Sequence, residues 1–147
     1  MPNTNIEHFD NIVGLVFARL YQDFPIRQVV DPTILDPLVK PNTEGWEDRY
    51  QQYQMVFIAT MAWLIEAGYV WASPIRDENT GVFLDCVLST KGLEVLNTPS
   101  SLGPSIGSTL KDAALSTTGD TVKDLAKEAL SAGATLAWGL GRSFIGA

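Results

Sequence analysis

The chain is predicted to fold as a mainly helical α+β protein, a set of helices with one β-hairpin, followed by a helical tail. Three observations carry this expectation. Apolar residues recur at three- and four-residue spacing over several stretches, the period of a helix. The longest of those stretches ends at Gly68 and is followed by two β-branched and aromatic runs around a polar turn. Residues 97–109 then carry no charge and are rich in Ser, Gly and Pro, a linker composition, before helical periodicity resumes.

The first helix is expected over 5–23. Thr4 and Glu7 have the spacing of a capping box, and Ile6, Phe9, Val13, Val16, Phe17, Leu20 and Phe24 line one face. Asp23-Phe24-Pro25 ends it, because a residue before proline is pushed out of the helical region. A short second helix is expected over 32–39. Asp31-Pro32 places a side-chain acceptor before a proline at the first helical position, and Asp36-Pro37 repeats the device.

The third helix, over 45–67, is the longest of the first 98 residues. Tyr50, Tyr53, Phe57, Thr60, Leu64 and Ala67 form one stripe, and Met55, Ile58, Ala62 and Ile65 form another on a different side. No charge occurs from Met55 to Ile65. A helix apolar on most of its circumference is expected to be buried on most of it, so another element should cover it. Gly68 stops this helix, strands follow over 69–73 and 82–88, and Ser89-Thr90 caps a short helix over 91–96.

The run Trp63-Leu64-Ile65-Glu66-Ala67-Gly68-Tyr69-Val70, then the hairpin, then Leu88-Ser89-Thr90-Lys91-Gly92-Leu93-Glu94 resembles the winged helix-turn-helix superfamily. In that pattern a long helix ends at a glycine, the hairpin is the wing, and a Leu-Ser/Thr-x-Lys-Gly segment opens the next helix. The resemblance covers residues 5–98. It implies a winged-helix domain over 1–98; composition and periodicity add a linker over 99–109 and a C-terminal helical segment over 110–147 for packing or oligomerisation. The build is also similar to small acidic winged-helix proteins of bacteria and their phages, a similarity that transfers no site residue. One fold hosts many roles, so the function has to come from the residues.

Charge is the most informative bulk property. Residues 1–98 hold six basic and thirteen acidic side chains, which is the whole net charge of −7, while residues 99–147 hold four of each. Phosphate contacts supply most non-specific affinity for nucleic acid, and an acidic domain is repelled by them. In winged-helix DNA binders the third helix enters the major groove. Here Arg49, Gln51, Gln52 and, on the wing, Arg76 are the residues that would face a duplex, but Glu44, Glu47, Asp48, Asp77 and Glu78 stand beside them. Nucleic acid is therefore disfavoured as a partner, and a DNA-binding regulator is the second reading.

The tail favours association between helices. From Ala129 to Ala147 the only charge is Arg142, and Ala129, Gly133, Ala137 and Gly141 recur every fourth residue. Such a stripe lets a second helix approach closely. Leu136, Leu140 and Phe144 form an adjacent apolar row. The expected interface joins these residues to Met55, Ile58, Ala62 and Ile65 of the third helix, in the same chain or in a second copy as a homodimer. The segment falls short of the roughly 20 apolar residues that span a bilayer, so a membrane role is a third and weaker reading.

No enzyme is expected, for want of a convergent set of titratable groups. The single histidine, His8, is expected at a surface or boundary position. The single cysteine, Cys86, is expected as a small core residue without a base partner. No cofactor and no metal site are expected, since no ligands stand at zinc spacing. One cysteine, and a start without a basic then apolar stretch, lead to the expectation of a cytoplasmic protein.

Overall fold

The computed structural model describes residues 5–77, 79–100, 103–115 and 119–145, apart from the side chains of 76–77, 115, 119 and 136–145. Its elements follow in the order α1 (Asn5–Gln22), β1 (Gln28–Val30), a 3-10 turn (Pro32–Leu35), α2 (Asp36–Val39), α3 (Trp46–Glu66) and β2 (Val70–Trp71). Then come β3 (Arg76–Asp77), β4 (Val82–Leu88), α4 (Thr90–Leu96), α5 (Ile106–Leu115) and α6 (Gly119–Ile145). The fold is mainly helical with one small antiparallel sheet.

Local chemistry accounts for most boundaries. Asp31 caps the 3-10 turn by accepting from the Thr33 N–H at 2.9 Å. Asp36 departs from its expected role. It is the first residue of α2, Leu35 takes the cap position, and no side chain caps it, because the chain enters α2 directly from the 3-10 turn. Thr4, the expected cap of the first helix, lies outside the described residues. Helix α3 ends on Gly68 at φ 84°, with the N–H groups of Gly68 and Tyr69 donating back to the carbonyls of Ile65 and Leu64. This paired closure satisfies carbonyls that the helix end would otherwise orphan.

Strand β4 is the centre of the sheet. It pairs antiparallel with β1 at Gln28↔Cys86 and Val30↔Phe83, and with β2 at Val70↔Leu88 and Trp71↔Val87. Strand β3 pairs with β4 farther along, at Arg76↔Phe83 and Asp77↔Val82. The register on β1 slips by one residue, and Asp85, at φ 55°, falls inside the slip. Strand β1 has no counterpart among the sequence expectations. Three residues are too few to display a period of two, and only Val29-Val30 hints at it.

The C-terminal part shares the core of the rest. Ile106, Leu110, Ala113, Val122, Leu125, Ala126 and Ala129 join Ile12, Val16, Phe17, Phe57, Leu64 and Phe83 in one buried cluster. Helix α5 begins at Ile106, within the stretch expected as linker, and both α5 and α6 pack against α1. This reverses an expectation about which helix is central. Helix α1 is buried without a break from His8 to Ala18 apart from the half-buried Phe9, including Asp10, Asn11 and Gly14. Helix α3, expected to be buried on most of its circumference, buries only Tyr53, Phe57, Thr60, Met61 and Leu64.

The physical reason lies in close approach. A Cβ on Gly14 would stand 2.5 Å from Val122 Cγ1 and 2.9 Å from the Val122 carbonyl, so this bare position lets α6 sit directly on α1. A Cβ on Gly107 would likewise meet the Tyr21 ring at 2.7 Å, which brings α5 down on the same helix. With α6 held against α1, α5 and α4, one face of α3 stays open.

Candidate functional site

The open face of α3 is the most distinctive surface among the described residues. Tyr53, Phe57, Thr60 and Leu64 point inward, and the opposite side presents Asp48, Gln52, Met55, Ala59, Trp63 and Glu66 to solvent. Met55 is 77% exposed and Trp63 42%. Against this face lies the first turn of α1, with Ile6 also exposed. The two helices bound a groove of about 420 Å³ lined by Asn5, Phe9, Met55, Val56, Ala59, Thr60 and Trp63. Its wall is held by aromatic contacts: Phe9 meets Trp63 edge-on at 5.2 Å, and Trp63 stacks on Tyr69 at 6.0 Å.

The groove is mostly apolar, with Asn5 and Thr60 as the polar residues of its lining. Thr60 is 2% exposed, lines the groove, and its hydroxyl has no hydrogen-bond partner. Buried hydroxyls are normally satisfied, and this one is enclosed beneath the cleft without a partner. Nearby, the His8 ring packs on Tyr53 at 4.4 Å, and its buried Nδ1 also lacks a partner. His8 is 7% exposed, which corrects the boundary position expected for it. Helices on both sides of α1 bury residues that its own periodicity leaves outside the apolar stripe. Burial lowers the His8 pKa, outweighing the opposing pull of Glu7. Asp10, a turn-half further on, is pushed up by burial, with Lys127 and Lys123 opposing.

The positions expected to read a duplex are dispersed in role. Gln51 and Gln52 are exposed. The Arg49 guanidinium is turned back on its own chain, donating to the Val39 carbonyl at 2.9 Å, the Glu44 carbonyl at 2.8 Å and the Thr43 hydroxyl. It ties the loop before α3 to that helix. Arg76 opens β3, and its side chain lies outside the described residues.

The positions expected to form a helix–helix interface also separate. Met55 is exposed and Ile58, Ala62 and Ile65 are half-buried. Ala129 and Gly133 are buried within the chain's own fold, Gly133 directly against the Tyr69 ring. The side chains of Leu136, Ala137, Leu140, Gly141 and Phe144 lie outside the described residues. The signal that could have located the groove was Met55-x-x-x-Ala59-x-x-x-Trp63, an apolar row at helical spacing whose three residues are all exposed among the described residues.

The segment after the hairpin has a structural role. Ser89 caps α4 by accepting from the Gly92 N–H at 3.0 Å, and its hydroxyl donates to the Gly68 carbonyl. Lys91 donates to the Ala67 carbonyl at 3.0 Å with its ammonium 4.3 Å from the centre of the Tyr69 ring. Gly92 packs against the Tyr69 carbonyl so closely that a Cβ could not fit. The Ser-Thr-Lys-Gly run is thus the latch that fastens α4 to the end of α3.

Cys86 is fully buried, and burial pushes its thiol up to about 11. Among the described residues, no group of three His, Cys, Asp or Glu side chains could hold a metal ion, and no helix is long and apolar enough to cross a membrane. Comparison of the chain with protein families, curated proteins and solved structures gives no match.

Proposed function

We infer that this is a winged-helix protein without catalytic activity that works by binding another protein through the open face of α3. Support for the fold reading comes from the element order, helix–strand–helix–helix–strand–strand–strand–helix over α1 to α4, and from the sheet order β1-β4-β2. The Ser89–Gly92 latch adds a local reason why the sequence pattern has that spacing.

One observation carries the functional reading. The helix that would enter a duplex in a DNA-binding relative of this architecture presents Met55, Ala59 and Trp63, with Asp48 and Glu66 at either end. Apolar side chains gain nothing from a phosphate backbone, and carboxylates are repelled by it. A rim of polar groups around an apolar centre is instead the anatomy of a protein interface. The duplex-binding reading loses its best base, since Arg49 is engaged three times within the chain. Fluorescence anisotropy of random duplex DNA with the full chain, at low and at physiological salt, tests the reading. No binding at either salt is the expected result. Tight binding that weakens steeply with salt would replace it with a DNA-binding regulator.

A further inference from the structure

We propose that the outer face of the sheet is a dimer interface, on which a second copy of this chain packs about a two-fold axis. Its residues are separate from those of the α3 groove, so it stands or falls independently of the reading above. An antiparallel sheet with one side on the core normally alternates apolar residues inward with polar residues outward. The inward residues here, Val30, Val70, Phe83, Cys86 and Leu88, are all buried in the core cluster. The outward positions are apolar too. Val29 and Leu84 are exposed on neighbouring strands, and Trp71, which pairs with Val87 across β2 and β4, is 52% exposed. Val87 is buried yet stands outside the core cluster, as its alternation with Cys86 and Leu88 requires. Ile75, between β2 and β3, is 76% exposed, and Phe24 and Ile26 are exposed on the turn that enters β1. Strands apolar on both sides belong to sheets covered on both sides. At about 200 Å² for a large side chain, the exposed fractions of Phe24, Ile26, Val29, Trp71, Ile75 and Leu84 leave about 600 Å² open. That is the upper limit for the largest apolar patch of a monomer and approaches the roughly 800 Å² that each partner gives to a stable interface.

Charge complementarity selects a second copy as the cover. The register slip between β1 and β4 leaves the consecutive residues Leu84 and Asp85 both exposed. Among the described residues, the Asp85 carboxylate has no ion-pair partner. Arg27 stands beside it and donates through Nη1 to the neutral Asp85 carbonyl at 2.9 Å, so it keeps its charge. Opposite charges side by side on one face make that face self-complementary. A two-fold axis between them sets the Arg27 of each copy against the Asp85 of the other. An unrelated partner would need a matched pair of charges at the same spacing, and a second copy has it by symmetry. Asp23, Asp31, Asp77 and Glu78 occur in the segments that flank this face, so the match lies in the Arg27–Asp85 pair and the apolar area and not in net charge.

Sedimentation equilibrium of the full chain should show a monomer–dimer equilibrium as concentration rises. Arg27→Glu sets a glutamate against Asp85 across the axis, and Asp85→Arg sets an arginine against Arg27. Each substitution alone should weaken the dimer at least about tenfold. Mixing the two variant chains places opposite charges at both contacts and should bring the dimer back, which a folding defect in either variant could not do. Leu84→Asp should also dissociate the parent dimer, while Met55→Asp, on α3, should leave it intact. A parent chain that stays monomeric at every concentration overturns the proposal and leaves the α3 reading standing, because that reading needs a different protein. Three further results overturn it: dimers that survive both charge substitutions, variant chains that stay apart when mixed, and a dimer lost with Met55→Asp but kept with Leu84→Asp.

Discussion

Gly133 of α6 lies flat against the Tyr69 ring, so close that a Cβ there would stand 2.7 Å from Cζ and nearer still to the hydroxyl. Tyr69 cannot retreat. It is buried, packed against Phe17 at 5.7 Å and Trp63 at 6.0 Å, and covered by the Lys91 ammonium. The contact couples the C-terminal helix to the junction between α3 and the sheet, and hence to the wall of the groove.

Substitution of Gly133 by alanine therefore sets two effects against each other. Relieving a glycine inside a helix gains about 1 kcal/mol. Overpacking against a ring that cannot move costs about 1–3 kcal/mol. The steric term is expected to win, so Gly133→Ala should melt at a lower temperature than the parent chain in calorimetry. A rise in melting temperature would show that α6 does not press on Tyr69.

Gly14 makes a sharper case, because its neighbour includes backbone. A Cβ there would stand 2.9 Å from the Val122 carbonyl oxygen, which no side-chain rotation can move. Gly14→Ala is expected to destabilise by at least as much as Gly133→Ala, of order 1–3 kcal/mol. Urea unfolding that gives equal midpoints for Gly14→Ala and the parent chain would refute the direct seating of α6 on α1.

These two glycines also explain what could and could not be read from the sequence. Helix spans were legible because caps and stops are local: Asp31 before Pro32, Gly68 after Glu66, and Ser89 three residues before Gly92 all act within one turn. The docking of α6 was not legible. Gly133 and Gly14 weaken a helix by propensity, and nothing local says that each is instead the floor of a helix contact. Misplacing α6 onto α3 then hid two further features, the burial of His8 and the open apolar strip around Met55. Strand β1 escaped for a different reason, since its three residues are held by pairing with β4 and not by their own pattern.

Arg49 separates a structural from a nucleic-acid role. Its three donations join Val39, Thr43 and Glu44 to α3. Hydrogen bonds from a charged donor are worth about 1.5–3 kcal/mol each at most, and the exposed ones here count for less. Arg49→Gln should lower stability by about 1–2 kcal/mol in denaturant titration and leave duplex affinity unchanged. An unchanged unfolding midpoint together with altered duplex binding would assign Arg49 to nucleic acid.

Cys86 is expected to be silent toward thiol reagents in the native state. It is fully buried, and burial holds the thiol up at about 11, so the reactive thiolate is scarce at neutral pH. Alkylation should occur only at the rate at which the chain opens and should accelerate sharply through the urea transition. Rapid labelling without denaturant would mean that β4 opens locally.

The last prediction concerns acid. His8 is buried, and its pKa lies below the ordinary 6.5, so the unfolded chain takes up the proton first as pH falls. The stabilisation that goes with a neutral His8 is complete above about 6.5 and is lost as pH falls through the folded value. Asp10 has the opposite sign. Burial raises its pKa above 3.8, so its contribution is fully present below that value and is lost as pH rises through the folded one. The two groups sit two residues apart on α1, and Asp10 faces Lys123 and Lys127 of α6, whose charges soften its shift. Asp10→Asn should then raise the melting temperature at neutral pH, with a gain that shrinks as the pH drops into the carboxylate range. His8→Phe keeps a ring against Tyr53 and removes the titration, so its melting temperature should fall less than the parent's between neutral pH and mild acid. Parallel melting-temperature curves for His8→Phe and the parent over that range would show that His8 is protonated as readily in the folded chain as in the unfolded one.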